Sequence, residues 1–305
     1  MLTDTVLLIR PSGFMYNSET AGSNSFQKKS ADLSFRIIQN TALAEFDNFM
    51  DTLKQNGIEV LVFDDTPLPV KPDAVFPNNW ISFHRDGRAV IYPLYAANRR
   101  TEKRMDIVDS IRNSYYNYKL VDLSYFEASN LYLEGTGSQV FDHSNKCTYA
   151  SLSPRTHREP LLTVATLFGY EPIWFSAKDR FGLAIYHTNV MLCIGEAFVL
   201  ICSESITDIT ERERVVKKLA ETGRVIIDFD FDQMESFCCN AIELRNSDGQ
   251  NITVLSKTAF DAFSPEQSQL LSAHTRLLPI PIPTIEKIGG GSARCMIAEV
   301  FRPAS

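Results

Sequence analysis

Short apolar runs and longer amphipathic segments alternate along the chain. Residues 5–10 form a mainly apolar run, which is typical of a buried strand. Between residues 31 and 56 apolar side chains recur at helical spacing until Asn56-Gly57, which predicts a helix ended by that pair. Residues 58–63 predict a second buried strand. The chain therefore opens with the order strand, helix, strand.

The order strand, strand, helix, strand then recurs. Paired apolar runs predict strands at residues 80–83 and 89–92, 134–141 and 147–151, 185–194 and 197–202, and 239–245 and 252–256. Predicted helices follow at 100–114, 154–168, 206–222 and 265–273, and further strands at 119–123, 172–175, 224–228 and 277–280. Helices that begin roughly every 50–60 residues indicate one repeated supersecondary unit. We count five units, the first divided between the two ends, and expect a single α/β domain over residues 1–305.

Composition narrows the class of protein. Of 305 residues, 44% are hydrophobic and 22% charged, which is typical of a globular protein with a full core. A net charge of −7 argues against nucleic acid as a partner. No apolar run is long enough to span a membrane, and the first residues lack a secretory signal. Six cysteines without metal-site spacing predict free thiols and a cytoplasmic location.

A glycine loop carries the first candidate for chemistry. Gly289-Gly290-Gly291 permits a close backbone approach and leads to Cys295 and a short apolar run of strand type. Backbone N–H groups that converge at such a loop lower the pKa of a thiol. Taken alone, the pattern fits a buried structural cysteine better. A nucleophile would need partners from elsewhere in the chain.

Two other stretches offer such partners. Glu134 lies between an apolar strand start and a flexible Gly-x-Gly, where it also fits a solvated edge residue. His187 lies in an otherwise apolar run, where it also fits a core histidine. Asn189, two positions on, would share one face of a strand with His187. Two polar side chains on one face of an apolar strand need partners, which favours a site.

Further charged and amide residues stand at the starts of predicted elements. Asp73 and Asn79 flank a Phe-Pro pair, and Arg99 and Arg155 each open a helical segment. Arginine in such positions is usually solvated, but its planar guanidinium also grips carboxylates with two parallel hydrogen bonds. A thiol, a histidine and a carboxylate together are the ingredients of thiol catalysis.

With these residues in place, the chain resembles the guanidine-modifying superfamily (penteins), which includes arginine deiminases and dimethylarginine dimethylaminohydrolases. The resemblance extends from Asp73 to Cys295 and is closest to a branch implicated in citrulline utilisation. It depends on six motifs in the family's order: an acid and phenylalanine stretch, Arg-Arg-x-Glu, Glu-Gly, Ser-x-Arg-Thr, His-x-Asn/Asp, and a glycine loop with Cys-Met.

The resemblance implies a fold of five ββαβ units around a pseudo-fivefold axis, an α/β propeller that agrees with the repeat count. It implies Cys295 as nucleophile, His187 as general acid and base, and Glu134 as the supporting acid. It further implies that Arg99 and Arg155 hold a substrate α-carboxylate. It implies no metal or organic cofactor and a small amino acid as the binding partner.

The chain departs from the pattern in charge. The resemblance implies that deiminases which act on a cationic guanidinium carry acids at the positions of Asn79 and Asn189, whereas this chain has amides there. It also implies that Asp73 contacts the substrate near its reacting group. A carboxylate only accepts hydrogen bonds, whereas an amide also donates, which suits a neutral ureido group. The two amides therefore predict hydrolysis of citrulline to ornithine, ammonia and carbon dioxide.

Several alternatives stay open at this level. Asp73 and Glu134 would still suit a guanidinium, so arginine or methylarginine hydrolysis and amidino transfer remain candidates. A binding protein on the same fold is the non-enzymatic alternative. The polar stretch at residues 17–30 fits either a lid or an ordinary surface loop. The sequence leaves a homo-oligomer as open as a monomer.

Overall fold

The computed structural model of the protein describes residues 2–30 and 33–304. Within these ranges the chain forms the following strands: β1 (Thr5–Arg10), β2 (Glu59–Asp64), β3 (Ile81–Phe83), β4 (Arg88–Ile91), β5 (Lys119–Asp122), β6 (Val140–Asp142), β7 (Cys147–Ser151), β8 (Glu171–Phe175), β9 (Leu192–Ile194), β10 (Phe198–Ile201), β11 (Val225–Asp228), β12 (Ile242–Arg245), β13 (Asn251–Ser256), β14 (Arg276–Ile280) and β15 (Ala298–Glu299).

The same ranges contain the following α-helices: α1 (Phe35–Gln55), α2 (Met105–Ser114), α3 (Gly135–Ser138), α4 (Arg158–Phe168), α5 (Ile209–Ala220), α6 (Phe231–Glu235), α7 (Lys257–Asp261) and α8 (Pro265–Ser272). Residues 31 and 32, where a helix was predicted to start, lie outside the described part. Helix α1 begins at Phe35 because the Ser34 side chain accepts a hydrogen bond from the backbone N–H of Ile37.

Each three-stranded sheet is built in the same way. In the second sheet β3 pairs antiparallel with β4, and β4 pairs parallel with β5 across the crossover helix α2. In the first sheet β15 pairs antiparallel with β1, with Val6 opposite Glu299, and β1 pairs parallel with β2. The described residues thus form five such sheets, and the predicted division of the first unit between the two ends is confirmed.

Hydrophobic residues fill the space between sheets and crossover helices. Helix α1 buries Phe46, Phe49 and Leu53, while Trp80 and Tyr149 are also fully buried. Four of these five side chains are aromatic, and they belong to three hydrophobic clusters. The cluster that contains Trp80 also contains Leu7 of β1, so neighbouring units share core contacts. In the described residues, no helix has both the length and the apolar character needed to cross a bilayer.

Two predicted strands were wrong over most of their length, because β6 begins only at Val140 and β9 only at Leu192. The strand predicted at residues 239–245 also begins late, at Ile242. Residues 134–141 begin as the short helix α3, and residues 185–194 contain a 3-10 turn, Thr188–Val190, before β9. His187 and Asn189 therefore do not share the face of a strand. The reason is tertiary: the Thr188 hydroxyl donates to the carbonyl of Ser138 in the neighbouring unit at 2.5 Å, which holds the backbone in a turn.

Candidate active site

A short turn precedes the first strand of every unit, and these leading turns carry the polar side chains of one site. They contribute Asn79 two residues before β3, Ser138 two before β6, Asn189 three before β9, Asn240 two before β12, and Cys295 three before β15. Neighbouring turns are hydrogen-bonded: Asn240 Nδ2 donates to the backbone carbonyl of Asn189 at 2.9 Å. The repeat thus gathers residues that are distant in sequence.

Cys295 lies at the end of the glycine loop. Gly290 has φ of +66°, a conformation that side chains disfavour. A Cβ on Gly289 would lie 2.8 Å from the ring of Phe76, so the backbone of the loop packs directly against this ring. Burial raises the pKa of the Cys295 thiol, although hydrogen bonds oppose the shift. At neutral pH the thiol is therefore protonated.

Two amide groups contact the sulfur. Asn189 Nδ2 lies 3.5 Å from Cys295 Sγ, and Asn240 Nδ2 lies 3.4 Å from it. The Asn240 Oδ1 is 3.6 Å from the same sulfur, within reach of the thiol proton. The Oδ1 of Asn189 is buried without a hydrogen-bond partner in the described structure. The sulfur therefore has neutral donors and acceptors around it.

His187 and Glu134 form a buried pair. His187 Nε2 lies 2.7 Å from Glu134 Oε2. Burial favours the neutral carboxyl, but the Arg155 guanidinium and the hydrogen bond from His187 hold the pKa of Glu134 well below its usual range. An ionised carboxylate only accepts, so Nε2 carries the proton and Nδ1 is left with a lone pair. Burial lowers the pKa of His187 to about 4, so the imidazole is neutral.

A glycine makes room for the imidazole. A Cβ on Gly137 would lie 2.8 Å from His187 Nδ1 and 2.6 Å from Asn79 Nδ2. Real Cβ atoms do not approach other heavy atoms this closely, so a larger residue would displace the ring or the amide. Glu134, which directly precedes helix α3, and Gly137 within the helix thus lie against the same histidine.

Arg99 is enclosed by acceptors. Its guanidinium donates to Glu102 Oε2 at 2.8 Å and to Asn79 Oδ1 at 2.8 Å. It lies 3.5 Å from Asp73 Oδ2. The other oxygen of Asp73 has no hydrogen-bond partner among the described residues, and burial raises the pKa of this acid. Arg99 therefore neutralises buried acids in this structure rather than presenting free donors.

Arg155 is held by residues 17–30. Its Nη2 donates to the backbone carbonyl of Thr20 at 2.9 Å and to Ser23 Oγ at 2.7 Å. Its Nη1 is 3.5 Å from Glu134 Oε2. The same stretch reaches the acid side of the site through Asn17, whose Nδ2 donates to Asp73 Oδ2 at 2.8 Å. Residues 17–30 therefore cover the site, and opening of this loop as a lid stays a prediction.

These side chains line a narrow cavity of about 10 Å³. A cavity of that volume holds about one water molecule, so an amino-acid substrate requires the lining to move. Six of the eight predicted site residues line it: Asp73, Asn79, Arg99, Arg155, His187 and Cys295. The other two, Glu134 and Asn189, contact these through hydrogen bonds. In the described residues, no cluster of three or more His, Cys, Asp or Glu side chains could hold a metal ion.

Sequence reasoning missed Asn240, Glu102 and Asn17. Glu102 was visible within the Arg-Arg-x-Glu motif, and Asn17 lies in the polar stretch noted as a candidate lid. Asn240 follows two cysteines that read as ordinary buried hydrophobes. Its position in the repeat could have identified it, because Asn240 lies two residues before β12, as Asn79 lies two residues before β3.

Comparison with known proteins identifies one matching family and several solved structures of similar fold. A family model described as "N,N dimethylarginine dimethylhydrolase, eukaryotic" matches residues 10–302. No curated protein sequence matches the chain. Among solved structures, ArgZ, an arginine dihydrolase from the ornithine-ammonia cycle in Cyanobacteria, is similar at a TM-score of 0.76 and 17% identity. A dimethylarginine dimethylaminohydrolase is similar at a TM-score of 0.66 and 15% identity, covering 98% of this chain and 100% of that one.

The alignment with ArgZ covers 99% of this chain but 41% of the ArgZ chain, so this chain spans less than half of that protein. A separate alignment with the ArgZ N-terminal domain covers 98% of this chain and 98% of that domain. These likenesses confirm the predicted fold, an α/β propeller of five ββαβ units. Since the family model matches nearly the whole sequence, the chain belongs to the eukaryotic N,N-dimethylarginine dimethylhydrolase family.

Proposed function

We propose that the protein hydrolyses the ureido C–N bond of citrulline, with Cys295 as nucleophile. One observation carries the proposal: the hydrogen-bonding partners of the sulfur are the amides of Asn189 and Asn240. A ureido group has one carbonyl oxygen and N–H donors, and amides match both kinds of group. The buried, unpartnered Oδ1 of Asn189 provides an acceptor for a ureido N–H.

The acids of the site support the same choice. Glu134 already faces His187, Arg99 and Arg155, and Asp73 already faces Arg99. A guanidinium entering the cavity would therefore compete with buried arginines for the same carboxylates. Burying a cation without a free counter-charge costs several kcal/mol. A neutral ureido group avoids that cost.

The first chemical step is attack of the Cys295 sulfur on the ureido carbon. The thiol proton moves to His187 Nδ1, the ring nitrogen that Glu134 leaves unprotonated. The imidazolium then protonates the terminal ureido nitrogen, the C–N bond breaks, ammonia leaves, and an S-carbamoyl (thiocarbamate) enzyme intermediate remains. In this proposal Glu134 stabilises the imidazolium through its hydrogen bond to Nε2.

Water completes the reaction. His187 Nδ1 removes a proton from a water molecule, which attacks the thiocarbamate carbon. The C–S bond breaks, and the imidazolium returns the proton to the sulfur, which leaves as thiol. The carbamic acid product loses carbon dioxide and leaves an amine. Citrulline and one water therefore give ornithine, ammonia and carbon dioxide. An acceptor amine in place of water would instead make the enzyme a transferase.

We keep hydrolysis of arginine or a methylarginine as a second candidate. It is supported by the family description and by the buried Asp73 Oδ1, which has no partner among the described residues. A guanidinium N–H would satisfy that oxygen. We propose that Asp73, Asn79, Arg99, Arg155 and Asn189 position the substrate in either reaction. Arg99 and Arg155 would first have to release their present partners to hold a substrate carboxylate.

The test compares substrates and two cysteines. Purified protein is incubated separately with citrulline, arginine and asymmetric dimethylarginine, and ornithine, citrulline and ammonia are measured. We expect ornithine and ammonia from citrulline, none from the Cys295→Ala variant, and normal turnover by Cys147→Ala, which changes a buried thiol in β7. Turnover of arginine without turnover of citrulline would contradict the ureido proposal. Turnover by Cys295→Ala would contradict the nucleophile.

A further inference from the structure

Asn240 is the fully buried residue of the leading turn before β12, and its side chain touches the sulfur of Cys295. Its amide nitrogen has two protons. One is donated to the backbone carbonyl of Asn189 at 2.9 Å and the other to Cys295 Sγ at 3.4 Å. Its oxygen is 3.6 Å from the same sulfur. The amide thus links two turns and the candidate nucleophile.

The backbone around Asn240 is unusually constrained. Phe237 has φ of +64°, which is a genuine outlier for a bulky side chain. The backbone N–H of Asn240 donates to the carbonyl of Phe237 at 2.8 Å, closing a tight turn. Such strain persists where the surrounding structure requires one geometry. Here the turn aims the Asn240 amide at the sulfur.

Cationic side chains do not replace the amides. Arg294, next to Cys295 in sequence, donates to the carbonyl of Ile297 and to Glu299, both at 2.9 Å. His187 is neutral and bonded to Glu134. The groups that donate to the sulfur are therefore neutral: the backbone at Ser292 and the side-chain amides of Asn240 and Asn189. Their hydrogen bonds can stabilise negative charge on the sulfur.

We propose that Asn240 is a positioning residue for the nucleophile: it accepts from the Cys295 thiol at rest and donates to the thiolate formed during attack. The oxygen and nitrogen of one amide lie within hydrogen-bond reach of one sulfur, so neither role requires a large movement. The inference rests on the proposed role of Cys295 but not on the identity of the substrate.

The test measures thiolate reactivity without turnover. The rate of Cys295 alkylation by iodoacetamide is followed at fixed pH near 8 by mass spectrometry of the Cys295 peptide. A hydrogen bond to a charged group corresponds to one or two pKa units, so the rate should fall about ten- to a hundredfold in Asn240→Ala and Asn240→Asp. Asn246→Asp makes the same isosteric change in the distant β12–β13 hairpin and should react like the wild type.

Folded Asn240 variants that are alkylated at the wild-type rate would overturn the proposal. A second measurement covers variants that do not fold. In the wild-type protein, the side-chain amide resonance of Asn240 should shift when Cys295 is alkylated, and an unchanged resonance would overturn the inference. A slower alkylation together with no citrulline turnover would refute the proposed substrate and leave the role of Asn240 standing.

Discussion

At the scale of single residues, the proposed nucleophile and the proposed base are both neutral at rest. Burial keeps the Cys295 thiol protonated and lowers the pKa of His187 to about 4, so no thiolate–imidazolium pair exists at rest. The orientation of the imidazole depends on Glu134, because an acceptor-only carboxylate fixes the proton on Nε2. Each of these features leads to a substitution that can be measured.

Glu134→Gln should abolish most of the activity. A glutamine amide can donate to His187 Nε2 and thereby place the ring proton on Nδ1, where the proposed base is needed. We expect kcat to fall about 10²–10⁴-fold, the usual contribution of a positioned acid–base group. The glutamine also leaves Arg99 and Arg155 less neutralised, so the melting temperature must be measured beside kcat. A folded variant with wild-type kcat would contradict this assignment.

Asn189→Asp should change the preferred substrate. The new carboxylate would supply a buried counter-charge beside the sulfur, and a missing partner in a buried ion pair costs about 3–5 kcal/mol. We expect the ratio of kcat/KM for arginine to that for citrulline to rise by about two decades or more. Asn246→Asp, remote from the cavity, is the matched control. An unchanged ratio would mean that charge at residue 189 does not select the substrate.

At the scale of elements, the leading turns matter more than the strands they precede. Strand positions were predictable because apolar pairs around Asp-Gly or Gly-Glu repeat along the sequence. The leading turns were not predictable, because contacts between units set their geometry. One such contact is the hydrogen bond from the Thr188 hydroxyl to the carbonyl of Ser138. Local periodicity carries no information about such contacts, which is why residues 134–141 and 185–194 were expected to be strands throughout.

Gly137→Ala tests how tightly one leading turn packs. The added Cβ would lie 2.8 Å from His187 Nδ1 and 2.6 Å from Asn79 Nδ2, which forces one of them to move. We expect activity to fall at least about tenfold, with a loss of stability of about 1–3 kcal/mol from overpacking. Gly22→Ala is the control, because its Cβ would meet no atom within 4 Å and its φ is not positive. Equal effects of the two substitutions would contradict the packing argument.

At the scale of the whole molecule, the sequence predicted the architecture and most of the site, but not the partners inside it. Five repeats and the divided first unit followed from spacing alone. The resemblance supplied Cys295, His187 and Glu134, which the structure brings into one cavity or its direct contacts. The enclosure of Arg99 by Glu102 could not be predicted, because neither burial nor side-chain direction is written in a motif.

Stability should depend on pH through two buried histidines, His84 and His187, and the half-buried His143. Burial lowers the pKa of His84, His143 and His187 below the ordinary value of 6.5. The folded protein then binds fewer protons than the unfolded chain, so this stability is complete above pH 6.5 and is lost as the pH falls towards the folded values. For His187, whose pKa is about 4, the loss reaches about 3 kcal/mol.

Thermal unfolding measured from pH 7 to pH 4.5 should therefore show a falling melting temperature. His84→Gln removes one buried imidazole and should flatten the curve. A wild-type melting temperature that is constant over this range would contradict the linkage. Equal slopes for the wild type and His84→Gln would exclude His84 as a contributor.

The pairing of β1 with β15 has a consequence for the time at which the protein becomes reactive. Synthesis runs from the N-terminus, so Val6 cannot pair with Glu299 until almost all of the described chain has left the ribosome. Cys295 emerges just before that strand, and its partners Asn189 and Asn240 are already made. Pairing of β15 with β1 completes the first sheet and places Cys295 beside its partners at the same stage of synthesis. A chain that is still being synthesised therefore has no assembled nucleophile.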